Sequence, residues 1–182
     1  VKIRNNINQK LKIRINKCID LLDTEYKKLN FTIDPYISAN RLEYERKNKP
    51  DLSEETYEQI LNGSEVVSGI TLGEKKRIKI FLFIYENLET DANEVLGLIG
   101  NIYHEIRHGW QIEHKLFDDE IGITKIDGNL ETYFGQVAEK DAYTFQLEQM
   151  QKNANKILEI FNINDRVQYY TLKEEIMDII NQ

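Results

Sequence analysis

The sequence predicts a single α+β domain, residues 1–182: a short twisted sheet with a hairpin, packed on one long helix, plus a second helix running antiparallel to it. Three observations predict this. Apolar residues recur at steps of three and four through several long segments, the mark of helices with one buried face. Two β-prone runs, 66–72 and 77–85, are joined by the short connection Gly73-Glu74-Lys75-Lys76, which reads as a hairpin. Asp91 followed three residues later by Glu94 forms a capping box that opens a long helical pattern. A chain of 182 residues suits one domain that buries a core without disulfides.

From the N-terminus, Ile3, Ile7, Leu11, Ile15, Cys18, Leu22, Tyr26 and Leu29 predict one amphipathic helix over residues 3–29, its outer face rich in Lys, Arg and Asn. Asp34-Pro35 predicts a turn and an extended entry. Residues 37–44 are expected as a strand, followed by a loop at 47–50. Asp51 with Glu54 predicts a second capping box and a short helix, closed by Gly63. The run 77–85 alternates and then becomes continuously apolar, as a strand covered on one or both faces does. Residues 117–128 read as a loop. Asn129 is expected to cap a helix reaching Phe161, with Leu130, Phe134, Val137, Asp141 and Phe145 along one side, and a last helix covers 166–180.

Composition narrows the function. The net charge of −7 argues against a nucleic-acid backbone as the main partner, because that binding neutralises phosphates with Lys and Arg. No apolar run approaches a membrane span. The lone Cys18 excludes an internal disulfide and fits a reducing compartment, so the expected location is the cytoplasm. The chain starts at Val1, not Met, which leaves room for an upstream segment.

The chemistry is concentrated at His104-Glu105-Ile106-Arg107-His108. Two of the three histidines in the chain fall here, four residues apart, and so on one side of a helix. At about 100° per residue, Val95, Ile99, Ile102, Ile106 and Trp110 line one side of this helix and the two histidines lie nearly opposite. A histidine pair kept for packing belongs among the isoleucines; these stand with Gly97, Gly100 and Asn101 instead. Such a helix packs its back into a core and borders a cleft with its front. The arrangement is the HExxH pattern of zinc metallopeptidases: two imidazoles hold Zn2+, and Glu105 takes a proton from the attacking water.

Catalytic zinc takes three protein ligands, so a third is needed. His114 completes a histidine spacing like that of the metzincins, but Gln111 stands where that pattern needs a glycine to turn the chain back. On a continuing helix His114 lies about 9 Å beyond His108 along the axis. Glu139 is the stronger candidate. It shares its helical face with Thr132, Gly135, Ala142 and Tyr143, and these mostly small neighbours let its helix approach the motif helix. Glu131 falls on another face, and Asp141 is expected to point away. For stabilising an oxyanion, Tyr143 leads, one turn beyond Glu139, with Tyr103 and Tyr133 as further options.

Together, His104-Glu105-Ile106-Arg107-His108 and Glu139-Lys140-Asp141-Ala142-Tyr143-Thr144-Phe145 resemble the HExxH…ExxAxxF pattern of the ImmA/IrrE-type metallopeptidases. The wording around the motif also resembles small phage-type metallopeptidases of that group. The resemblance covers about 66–150, the expected catalytic core. It implies a zincin-like fold of the gluzincin type, metal ligands His104, His108 and Glu139, a base at Glu105, and a peptide or protein substrate. Gln146 departs from the pattern, which usually has alanine there, and no helix-turn-helix is evident. The rival expectation is a zincin-like module of a mobile genetic element that keeps the site without turnover.

Overall fold

Lys79 has no exposed surface although it sits in the middle of a strand, because that strand is covered on both faces. The computed structural model describes residues 1–62, 67–117 and 136–181. In chain order these form β1 (Lys2–Ile3), α1 (Gln9–Ile19), α2 (Thr24–Lys27), β2 (Thr32–Tyr36), α3 (Ala39–Asn48) and α4 (Glu54–Leu61). The hairpin β3 (Gly69–Leu72) and β4 (Arg77–Phe81) follows, then a 3-10 turn at Leu82–Ile84. The chain continues through α5 (Ala92–Glu113), α6 (Val137–Phe161) and α7 (Glu174–Ile180). The fold is thus mixed α+β.

The sheet runs β1-β2-β4-β3, with β1, β2 and β4 parallel and β3 antiparallel to β4. Ile33 pairs with Ile78, and Gly69 and Thr71 pair with Ile80 and Ile78. Alternation then sorts side chains to two sides. Ile33, Ile78 and Ile80 enter the main core with α1, α5 and α6. Tyr36, Ile70 and Phe81 enter a smaller core with Leu42 of α3 and Tyr57 and Ile60 of α4. Lys79 faces the smaller core, where its ammonium pairs with Glu45 and with Asp51 at 3.3 Å. A cation there is tolerable because both carboxylates are themselves bonded: Glu45 accepts from Tyr57 at 2.6 Å, and Asp51 accepts from Arg77 at 2.8 Å.

Several expectations are corrected. The segment 3–29 is not one helix: Ile3 joins the sheet, Lys2 and Arg4 donating to Phe31 and Ile33 at 3.0 Å, and Asn8 caps a shorter α1. The apolar positions nevertheless hold, with Ile3, Ile15, Cys18, Leu22, Tyr26 and Leu29 all buried. The strand expected at 37–44 is instead helix α3, and the strand lies earlier, across the Asp34-Pro35 expected to turn. Pro35 is tolerated because β1 ends opposite Ile33, so no strand asks for its missing N–H; its carbonyl accepts from Asn6 at 2.7 Å. Ser53, not Asp51, caps α4 by accepting from Thr56. The last helix is shorter than 166–180, because Asn155 binds the N–H and C=O of Val167 at 3.0 Å and holds that stretch out of helix. The expectations at Gly63, over 118–128 and at the Asn129 helix start lie outside the described residues. No helix among the described residues is long and apolar enough to cross a membrane.

Candidate metal centre

Helix α5 starts where the sequence places it. The Asp91 carboxylate accepts from Asn93 and Glu94 N–H at 2.8 and 3.1 Å, while Glu94 turns to the N–H of Asn87. Val95, Ile99, Ile102 and Ile106 are buried on its back. Its front meets α6, which lies along it. Gly100 lies at this contact, where a Cβ would stand 2.7 Å from Gln146 Nε2.

Across this contact His104, His108 and Glu139 converge. The two Nε2 atoms are 3.0 Å apart, and each lies 3.2 Å from one oxygen of the Glu139 carboxylate. A tetrahedral ion with arms of about 2.0–2.1 Å spaces its ligand atoms about 3.3 Å apart, so the three are set as metal ligands are. One further observation agrees: among the described residues Glu139 Oε2, although close to His104, has no hydrogen-bond partner. Among the described residues this is the group able to hold a metal ion.

The tautomer of His108 is set from behind. Gln111 donates its Nε2 to the Ala138 carbonyl at 2.9 Å and to Asp141 at 2.6 Å, which turns its Oε1 toward His108 Nδ1 at 2.8 Å. In its neutral form His108 then carries its proton on Nδ1 and presents a bare Nε2, the form a metal requires. Asp141 is fixed in turn by two hydrogen bonds from Arg107, at 2.7 and 2.9 Å. Asp141 therefore faces the motif helix, contrary to expectation. Neither Gln111 nor Asp141 was singled out from sequence as a supporting residue; the signal was available in Arg107, an arginine inside the motif that needs an acid across the helix contact.

Electrostatics mark the same place. Burial disfavours a charged His108, but the facing Glu139, Glu105 and Gln111 outweigh it and raise the imidazole to about 9. Burial acts against the Glu139 carboxylate too, yet the two imidazoles win and hold it far below the usual range. Three buried groups that must share charge in this way offer a ready seat for a divalent cation.

Glu105 is buried between α5 and β3, and burial raises its carboxyl, partly offset by the histidines and by Thr71. Thr71 Oγ1 lies 2.7 Å from Glu105 Oε2 and 2.9 Å from the Glu105 carbonyl, sharing one proton between them. Gly69 leaves room beside it: a Cβ there would stand 2.8 Å from Glu105 Cγ. Tyr143 lies against His104, ring centroids 4.3 Å apart, and burial with the charges of Glu139 and Glu105 keeps its hydroxyl protonated.

The alternatives fall elsewhere. His114 ends α5, exposed, stacked on Trp110 and bonded through Nδ1 to the Trp110 carbonyl at 2.9 Å. The helix runs straight past Gln111, as the missing glycine predicted. Tyr103 is fully buried behind α5 and donates to the Cys18 carbonyl at 2.6 Å. Thr132, Gly135, Tyr133 and Glu131 lie outside the described residues. No protein-family model, curated protein or solved structure matches the chain.

Proposed function

We propose that the chain is a zinc-dependent metallopeptidase of the gluzincin type, akin to the ImmA/IrrE group, acting on a peptide or protein substrate in the cytoplasm. One observation carries the proposal: His104, His108 and Glu139 meet at 3.0–3.2 Å with a buried glutamate, Glu105, next to them in the motif. The donor set, two imidazoles and a carboxylate, is that of catalytic zinc, and it leaves a fourth position open. Zinc held there would polarise both the attacking water and the scissile carbonyl.

The remaining work falls to the chain's own residues. Glu105, desolvated and held on one oxygen by Thr71, accepts the proton of the attacking water on its other oxygen and returns it to the leaving amine. Tyr143 keeps its proton and serves as the hydrogen-bond donor to the carbonyl oxygen as charge develops there. Among the described residues strand β3 pairs with β4 on one side only, which leaves its other edge for an extended substrate to join by main-chain hydrogen bonds. Its residues Gly69 and Thr71 touch Glu105, so a peptide added to that edge runs beside the catalytic carboxylate.

Metal analysis of the purified protein together with digestion of a peptide library tests the reading. Stoichiometric zinc and chelator-sensitive cleavage are expected. Zinc without cleavage of any peptide would leave a binding module; protein without metal affinity would remove the basis of the proposal.

A further inference from the structure

One helical turn before His104, and one beyond Tyr143, lies a cluster of uncharged polar groups that the chemistry above does not use. Asn101 donates its Nδ2 to the Tyr85 hydroxyl at 2.6 Å, and the Tyr170 hydroxyl stands 3.4 Å from Gln146 Nε2. Gly100 forms the floor, with Gln146 Nε2 and the Tyr170 hydroxyl 2.7 and 3.0 Å from where a Cβ would be. Gln146 is 4% exposed, yet among the described residues its Oε1 has no hydrogen-bond partner. Turning the amide over does not help, because one hydroxyl cannot satisfy both its ends. An orphaned buried acceptor costs about 1–3 kcal/mol, so its retention calls for a reason. Position adds to the case. Tyr85, Asn101 and Tyr170 are only partly buried, and Asn101 and Gln146 stand three residues from His104 and Tyr143 along their helices.

We propose that Gln146, Asn101, Tyr85 and Tyr170 form a side-chain subsite for a substrate residue bearing a primary amide, asparagine or glutamine, next to the cleaved bond. The inference rests on the peptidase reading. The chemistry of the cluster selects the ligand. Gln146 Oε1 and Asn101 Oδ1 are two acceptors, and a primary amide brings two N–H donors. Its carbonyl accepts in return from a tyrosine hydroxyl. An aliphatic side chain leaves Gln146 orphaned.

The test uses zinc-loaded Glu105→Gln protein as a non-cleaving trap and a positional-scanning set of fluorescent peptides, with anisotropy as the readout. At one position glutamine or asparagine should be held about tenfold more tightly than leucine. Adding Gln146→Met should erase that preference while the protein melts at or above the parent temperature, since an unpaired buried carbonyl is removed. Tyr170→Phe should weaken the preference in the same direction and keeps the test decisive where Gln146→Met fails to fold. A lower melting temperature for Gln146→Met with the preference intact would assign Gln146 a structural role and overturn the subsite alone. Zinc-loaded protein that holds no peptide would overturn the subsite together with the peptidase reading.

Discussion

Replacing Gln111 by leucine should weaken zinc binding without touching a ligand. Gln111 is fully buried and is held by three contacts, to Ala138, Asp141 and His108, all at 2.6–2.9 Å. Leucine fills similar space but offers no acceptor, so His108 Nδ1 loses the bond that fixes its proton away from the metal side. Loss of such an outer partner typically lowers metal affinity about 10- to 100-fold, or about 1.4–2.7 kcal/mol. Competition against a fluorescent zinc chelator at neutral pH measures this directly, with a melting curve to show that the fold survives. Gln111→Glu keeps an acceptor facing His108 but sets a carboxylate oxygen against the Ala138 carbonyl and Asp141, so it should not restore the affinity. Wild-type affinity in a folded Gln111→Leu protein would refute the reasoning, because the orientation of His108 would then be set by something else.

Three further outcomes follow from the same geometry. Glu139→Ala should lose zinc sharply in metal analysis while His114→Ala keeps it; the reverse result would move the third ligand to His114. Gly69→Ala puts a Cβ 2.8 Å from Glu105 Cγ, so turnover should fall several-fold in steady-state assays while zinc content is unchanged; unaltered turnover would mean that Glu105 need not hold its place. Burial pushes the Glu45 and Asp51 carboxyls up, but their bonds to Lys79, the tyrosines and Lys75 win and hold both below their ordinary values. Depressed carboxyls stabilise the fold above their unfolded values, about pH 4, and that stability is lost as pH falls through the folded values. Urea unfolding across the acid range should show this loss, and Glu45→Gln should make it shallower; equal slopes would refute it.

The site was more legible than the fold around it. The residues of the candidate metal group could be read because a helix fixes which residues share a face: His104 and His108 at four apart, opposite a row of isoleucines, and Glu139 with Ala142 and Tyr143. The hairpin was legible from its period, since Ile78 and Ile80 alternate with Arg77 and Lys79; the continuously apolar stretch after it is a 3-10 turn and not more strand. The N-terminal segment misled because Ile3 sits at a spacing that fits a helix and is buried just as well by a strand; only the distant partner β2 decides between them. Helix α3 was missed because Leu42 is its sole buried residue, which leaves almost no period to read. Asp141 was misjudged for a different reason. Its own helix points it away from Glu139, but Arg107 reaches across from α5 to meet it, and long side chains do not obey the face of their backbone.

The central claim is that Glu105 works on water beside a metal it does not bind. The most direct test is Glu105→Gln, which keeps the shape and the Thr71 contact but removes the proton acceptor. Zinc stoichiometry and melting temperature should match wild type, and peptide turnover should fall about 10²- to 10⁴-fold, the usual worth of a positioned general base. Wild-type protein that holds zinc and cleaves nothing, or equal cleavage by wild type and Glu105→Gln, would contradict it.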